Sequence, residues 1–237
     1  GLTDPSKNIP YLLQGGLGLP DRDYYLSNDK AMAEIRGKYE TYIGALLKQA
    51  GVADPDAKAK QIMALEMQIA KAQATLADSE NIHKANNLWA TADFAKTAPG
   101  LDWGASFKAA GLDGQQSIDA WQPDAITKLS ALVGSQPIDA WKAWLTFHAI
   151  DRNTAFLPKA FDDLAFAFHG TTLNGIPQQR ERWKRGIAVT DGLLGDAIGK
   201  RYAEKYFPAS SKEQITQLVN NLLAVFPERI DKLDWMS

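Results

Sequence analysis

Three histidines, His83, His148 and His169, are the only imidazoles in the chain. None has a second histidine three or four positions away. A peptidase zinc of the His-Glu-x-x-His type needs two imidazoles one helical turn apart, so that both reach one ion from one face, with a glutamate placed as base. That spacing does not occur. His148 falls in an aromatic stretch, where a hydrogen-bonded core or rim histidine is expected. His169 precedes Gly170 at an expected helix end, where a cation suits the helix dipole. Cysteine is absent, which removes thiolate chemistry and disulfides from this segment. There is no Gly-x-Ser-x-Gly elbow and no Walker loop. Gly192-x-x-Gly195 lies inside a helical pattern rather than after a strand, so it is no dinucleotide fingerprint. The densest charge is Arg180, Arg182, Lys184 and Arg185, in the first turns of a helix where cations oppose the dipole. Glu181 can pair with Arg185 at i,i+4, and a solvated face is expected. Residue chemistry therefore assigns no catalytic and no metal-binding residue, and no substrate-binding residue can be named.

The elements that would position such groups are helical. Residues 178–207 organise the chain, with apolar positions at Trp183, Ile187, Leu194, Ile198 and Tyr202 on one face and Pro177 and Pro208 at the ends. Gly192, Gly195, Gly199 and Ala203 form a second ridge. Each glycine costs about 1 kcal/mol relative to alanine in a helix, so regular spacing suggests that a neighbouring helix backbone packs on them. Ahead of this lies a turn-rich segment, 1–28, with Pro5, Pro10, Gly15, Gly16, Gly18 and Pro20; Arg22 and Asp23 form a solvated or paired couple there. Helical periodicity begins near Asp29 and stops at Gly51. Asp54-Pro55 opens a second helix with Ile62, Leu65, Ile69 and Leu76 on one face, and Glu66 in that stretch is expected at its rim. Trp89, Phe94, Trp103 and Phe107 are core anchors of a choppier region, and 116–121 is a doubtful extended piece. Helices return after Pro123 and Pro137, the second apolar on most of its circumference. Another run, 156–168, is closed by Gly170. Ser210 and Glu213 have capping-box spacing, and Pro227 should kink or split the last helix. The expectation is an all-α, multi-helix protein: a turn-rich segment 1–28, then a helical domain 29–237.

At 45% hydrophobic and 23% charged residues, the composition is that of a globular protein with ample core. The net charge of −2 supplies no basic field to draw in nucleic acid. No apolar run approaches the length of a membrane span.

GLGLPDRDYYL in the first segment, the Leu65-Glu66 helix, FHGT at 168–171, RERWKRG at 180–186, LLGDAIGKRYAEKYF at 193–207 and RIDKLDWM at 229–236 follow one another in a telling order. Together they resemble the N-terminal part of the neprilysin and endothelin-converting-enzyme family of zinc metallopeptidases. The resemblance spans nearly the whole chain. It implies a helical domain that covers a thermolysin-like catalytic domain, encloses a cavity and admits only peptides and small polypeptides. Gly186 stands where many animal members carry cysteine, which is closer to bacterial members. The family's zinc motif, its third zinc ligand and its Asn-Ala motif fall beyond position 237, so no catalytic residue transfers to this chain. The resemblance further implies zinc in the parent enzyme but none held here, a downstream catalytic domain as partner, peptide substrates, and a periplasmic or secreted location. A freestanding helical binding module without enzymatic activity is the alternative; a His-Glu-x-x-His helix downstream would separate the two.

Overall fold

The computed structural model describes Asp4 and residues 6–235. Pro5 of the N-terminal run and Met236 of the terminal Trp-Met pair lie outside them. The chain divides into two compact units, Gly1–Gln178 and Gln179–Ser237, and the fold is helical, as its periodicity predicts.

In the first unit, β1 (Tyr11–Leu12) and α1 (Asp23–Leu26) precede the two long helices α2 (Lys30–Gln49) and α3 (Pro55–Ala72). Asp29 caps α2 by accepting from the Ala31 and Met32 amides, and Gly51 ends the turn beyond it at φ 71°. Pro55 opens α3 as expected, but Asp54 makes no side-chain cap and sits at φ 53°. After α4 (Leu76–Glu80) come β2 (Leu88–Ala90), α5 (Phe94–Thr97), α6 (Trp103–Ala109) and β3 (Ser117–Ala120). The doubtful extended piece is thus a true strand. It lies between the other two, parallel to β1 with Tyr11 opposite Asp119, and antiparallel to β2 with Trp89 opposite Ile118. Phe94, Trp103, Phe107, Ile118 and Ile126 pack under this small sheet.

α7 (Pro123–Ser135) and α8 (Ile138–Asp151) follow, then α9 (Lys159–Ala165). The principal core lies where α3 packs on α2 and α8 and where α2 packs on α9. Tyr39, Ile43, Leu46, Leu47, Ile62 and Phe147 are fully buried there; each such side chain contributes about 1.5–3 kcal/mol of apolar burial. α8 is less uniformly buried than its composition suggests, because Leu145 is exposed. Gly170 does not close the run before it. The chain continues from α9 as a π-helix over Phe166–Leu173. A Cβ at Gly170 would come within 2.5 Å of the Phe166 ring, so this glycine serves a close approach rather than a stop.

The second unit holds α10 (Arg182–Tyr206) and α11 (Ala209–Ile230). α10 is bent at Leu194, whose φ of −129° is not helical, between the weak positions Gly192 and Gly195. The expected glycine ridge is not filled. A Cβ at Gly192 or Gly199 would meet nothing within 4 Å, and one at Gly195 would meet only Asp191, one turn back on the same helix. α11 begins at Ala209 without a side-chain cap, so the Ser210–Glu213 capping box does not form. It also runs unbroken through Pro227. That proline lies three residues before the helix end and forfeits one bond, while its carbonyl accepts from the Asp231 amide at 2.9 Å. Among the described residues no helix is long and apolar enough to cross a membrane.

Candidate functional site

The chemically richest place in the first unit is Glu66. It is not at a rim: it is fully buried, midway along α3. An isolated carboxylate there would be prohibitive in free energy, and four groups answer it. The Tyr25 hydroxyl donates to Oε2 at 2.5 Å, the Tyr39 hydroxyl to Oε1 at 3.2 Å, and the Gly18 amide lies 3.3 Å from Oε2. Nε2 of His148, from α8, is 2.7 Å from Oε1. Tyr25 is itself shared, accepting from the Gly18 and Leu19 amides at 3.2 and 2.9 Å. The turn Gly-Leu-Gly-Leu-Pro is thereby tied to the bundle by its backbone. Glycine is required at position 18, since a Cβ would fall 1.8 Å from the Tyr39 oxygen.

This arrangement keeps both phenols neutral. Burial pushes Tyr25 far above its usual range, and the Glu66 charge and hydrogen bond push in the same direction. Burial and then the Glu66 charge do the same to Tyr39.

A second pair lies nearby. Asp151, at the end of α8, accepts from the Tyr42 hydroxyl and lies 2.9 Å from His169 Nε2. Burial pushes the Asp151 carboxyl up, but the hydrogen bonds from His169 and Tyr42, with the charges of His169 and His148, outweigh it and hold the carboxyl below 3.8. His169 therefore partners a carboxylate rather than a helix end. Phe168 beside it stacks on Tyr42 and Tyr39 at centroid distances of 4.8 and 5.3 Å, which gives the FHGT motif its packing role. His83 stands apart, exposed on the short turn Ile82–Lys84.

Glu66 is fully buried and His148 nearly so, whereas His169 is partly exposed, and in each pair the carboxylate faces a single imidazole. Among the described residues no three His, Cys, Asp or Glu side chains come together to hold a metal. A catalytic zinc would need three such ligands together with an open position for water. The basic cluster of α10 is a surface feature: Lys184 pairs with Glu181 at 2.8 Å and lies over the Trp183 ring, and Arg185 Nε donates to the Arg180 carbonyl. The sequence singles out His148, His169 and Glu66 but not their joining. The available signal was the burial of α3 on both sides of Glu66, which demands donors, and Tyr24-Tyr25 after a glycine-rich turn.

The fold and the buried Glu66 network define a predominantly helical domain braced at its glycine-rich turn. The N-terminal model of peptidase family M13 matches residues 1–237, and the chain belongs to that family. Endothelin-converting enzyme 1 of Mus musculus is 26% identical over 247 residues, covering 98% of this chain and 31% of that protein. The zinc metalloprotease Zmp1 of Mycobacterium tuberculosis, solved with an inhibitor, superposes with a TM-score of 0.83 at 31% identity, over 95% of this chain and 34% of that one. PepO of Lactobacillus rhamnosis shares the fold at 20% identity and a TM-score of 0.78, over 97% of this chain and 36% of that one. The chain thus spans about a third of the length of the relatives it matches.

Proposed function

We propose that this chain is the helical, non-catalytic part of a neprilysin-like zinc metalloendopeptidase, walling the reaction cavity and limiting entry to peptides and small polypeptides. The observation that carries it is the contrast between the two units. The first is braced by a sealed core. In the second, neither α10 nor α11 buries a residue, and Trp183, Leu193 and Tyr202 are 61%, 74% and 64% exposed. Apolar area on that scale marks a surface made to be covered, and the catalytic part of the same polypeptide is the partner that family membership supplies. In the whole enzyme a zinc would polarise the scissile carbonyl and activate water. This chain's share is steric: a rigid wall excludes folded substrates before chemistry begins. We also put the enzyme outside the cytoplasm, periplasmic or secreted, a reading supported by the family resemblance.

Two assays test this. The chain alone, given a fluorogenic peptide and excess zinc, should show no turnover. Joined to the polypeptide that follows it, it should cleave a peptide of about ten residues yet spare the same bond inside a folded carrier, since the wall admits only chains that can enter a closed cavity. Equal cleavage of both substrates refutes the filter. Turnover by the isolated chain that is lost in the His148→Ala, His169→Ala double variant refutes the non-catalytic assignment.

A further inference from the structure

The bend in α10 is not made the way the other irregular helix of this chain is made. In the π-helix over Phe166–Leu173, Thr172 Oγ1 donates to the Ala167 carbonyl at 3.0 Å and Asn174 Nδ2 to the His169 carbonyl at 2.6 Å. The Phe166 ring fills the space over Gly170, and Phe168 is buried. Side chains and core therefore hold that backbone in one shape. Leu194 has φ −129° and ψ 16° inside α10, and nothing comparable holds it. Among the described residues no side chain from 191 to 198 makes a hydrogen bond or ion pair. The side-chain bonds of α10 stay on one side of the bend or the other, Thr190 to the Gly186 carbonyl at 2.8 Å and Arg201 to Glu204 at 3.1 Å.

Packing does not fix the angle either. α10 buries no residue, and Leu193 and Leu194 are both exposed. The cavity of about 330 Å³ at the bend is lined by residues 191–197 alone, so no other element reaches it. No proline lies in α10 to set a permanent kink. Gly192 and Gly195 bracket the bend instead. Glycine is the weakest helix former after proline, because its backbone has the most freedom to lose. A helix interrupted between two glycines, with no brace and no packing, offers little resistance to turning.

We propose that α10 is a hinged helix. Its arms, 182–193 and 195–206, turn about Leu194, and the second arm carries α11 with it through Phe207 and Pro208. A few residues that absorb a change in φ and ψ are the usual form of a hinge. The second arm is about 18 Å long, so a turn of about 20° moves its far end by about 6 Å. In the whole enzyme this turn lets the wall open to admit a peptide and close behind it. That use rests on the wall function proposed above; the joint itself does not.

The test is proton–nitrogen NMR on the chain in a weakly aligning medium. The dipolar couplings of 182–193 and of 195–206 should each fit a helix, and the two should need alignment tensors of different magnitude, because arms that turn against each other do not tumble as one body. Gly192→Ala with Gly195→Ala restores the helix propensity that glycine forfeits, at positions where a Cβ meets at most the Asp191 side chain. This double variant should bring both arms onto one tensor. Gly199→Ala, where a Cβ meets nothing but which lies beyond the bend, should leave two. One tensor for the parent chain overturns the hinge, and so does a double variant that keeps two. Joined to the polypeptide that follows, the double variant should lower kcat/KM for the short peptide by about fivefold, with Gly199→Ala unchanged, since stiffening a hinge slows the steps it serves. An unchanged kcat/KM overturns the part given to the hinge in admission, while the wall itself stands or falls on the folded-carrier assay above.

Discussion

Replacing Tyr25 by phenylalanine removes one oxygen atom from the core and adds nothing, so its effect isolates the brace around Glu66. The lost hydroxyl accepts from the Leu19 amide at 2.9 Å and donates to Glu66 at 2.5 Å. The Gly18 amide keeps Glu66 as a partner at 3.3 Å. The Leu19 amide is left buried and unpaired, which costs about 1–3 kcal/mol, and Glu66 loses one charged hydrogen bond worth about 1.5–3 kcal/mol. The sum is roughly 2.5–6 kcal/mol. Since 1 kcal/mol shifts Tm by about 2–4 °C in a chain of this size, the variant should melt roughly 5–24 °C lower. The assay is urea unfolding followed by tryptophan fluorescence, with an unchanged slope as the check that both end states are the same. Tyr24→Phe is the matched control, because Tyr24 packs against the same core but its hydroxyl bonds to no described residue; it should cost under about 0.5 kcal/mol. A Tyr25→Phe variant within 1 kcal/mol of Tyr24→Phe would show that the brace is not what holds the glycine-rich turn, and the reasoning would fail.

Three further outcomes are expected. Tyr25, Tyr39 and Tyr42 all have phenols held above the unfolded value of 10.0, so the stability they contribute is complete below pH 10 and is lost as pH rises beyond it; melts at pH 7, 10 and 11 should show a steep alkaline fall, and a flat profile contradicts the neutral-phenol assignment. Asp151 is held below 3.8, so its contribution is present above that pH and fades as pH falls; Asp151→Asn should be less stable than the parent at pH 7, with the gap closing toward pH 3. Gly199→Ala should stabilise the chain alone by up to about 1 kcal/mol through helix propensity, because a Cβ there meets nothing; destabilisation in a urea melt would restore the packed ridge.

The helices were legible because their signals are local. Asp29, Gly51 and Pro55 mark helix boundaries closely, and apolar spacing of three and four finds the buried faces of α2 and α3, whereas Leu76 falls beyond α3 and the apolar stripe of α10 is exposed. The candidate site was not legible for the opposite reason. Glu66 reads as a rim residue because its partners lie 27, 41 and 82 positions away, and no window along the chain contains them. Gly170 and the glycines of α10 were misread in complementary ways. A glycine that spares a ring three-dimensionally close and a glycine in open space look the same in sequence. β1 escaped notice because two residues carry no periodicity, and its partner strand arrives more than a hundred positions later.

The spread of the brace along the chain has a consequence for synthesis. Glu66 and His148 are 82 residues apart, and at about 5–20 residues per second that interval takes roughly 4–16 s. Through that time the nascent chain carries α3 with its central carboxylate facing an unfinished core, and the glycine-rich turn, made before α3, has only part of its anchor. A segment synthesised ahead of its partners is therefore among the last to be locked, and during those seconds α3 is a natural target for a chaperone or a protease.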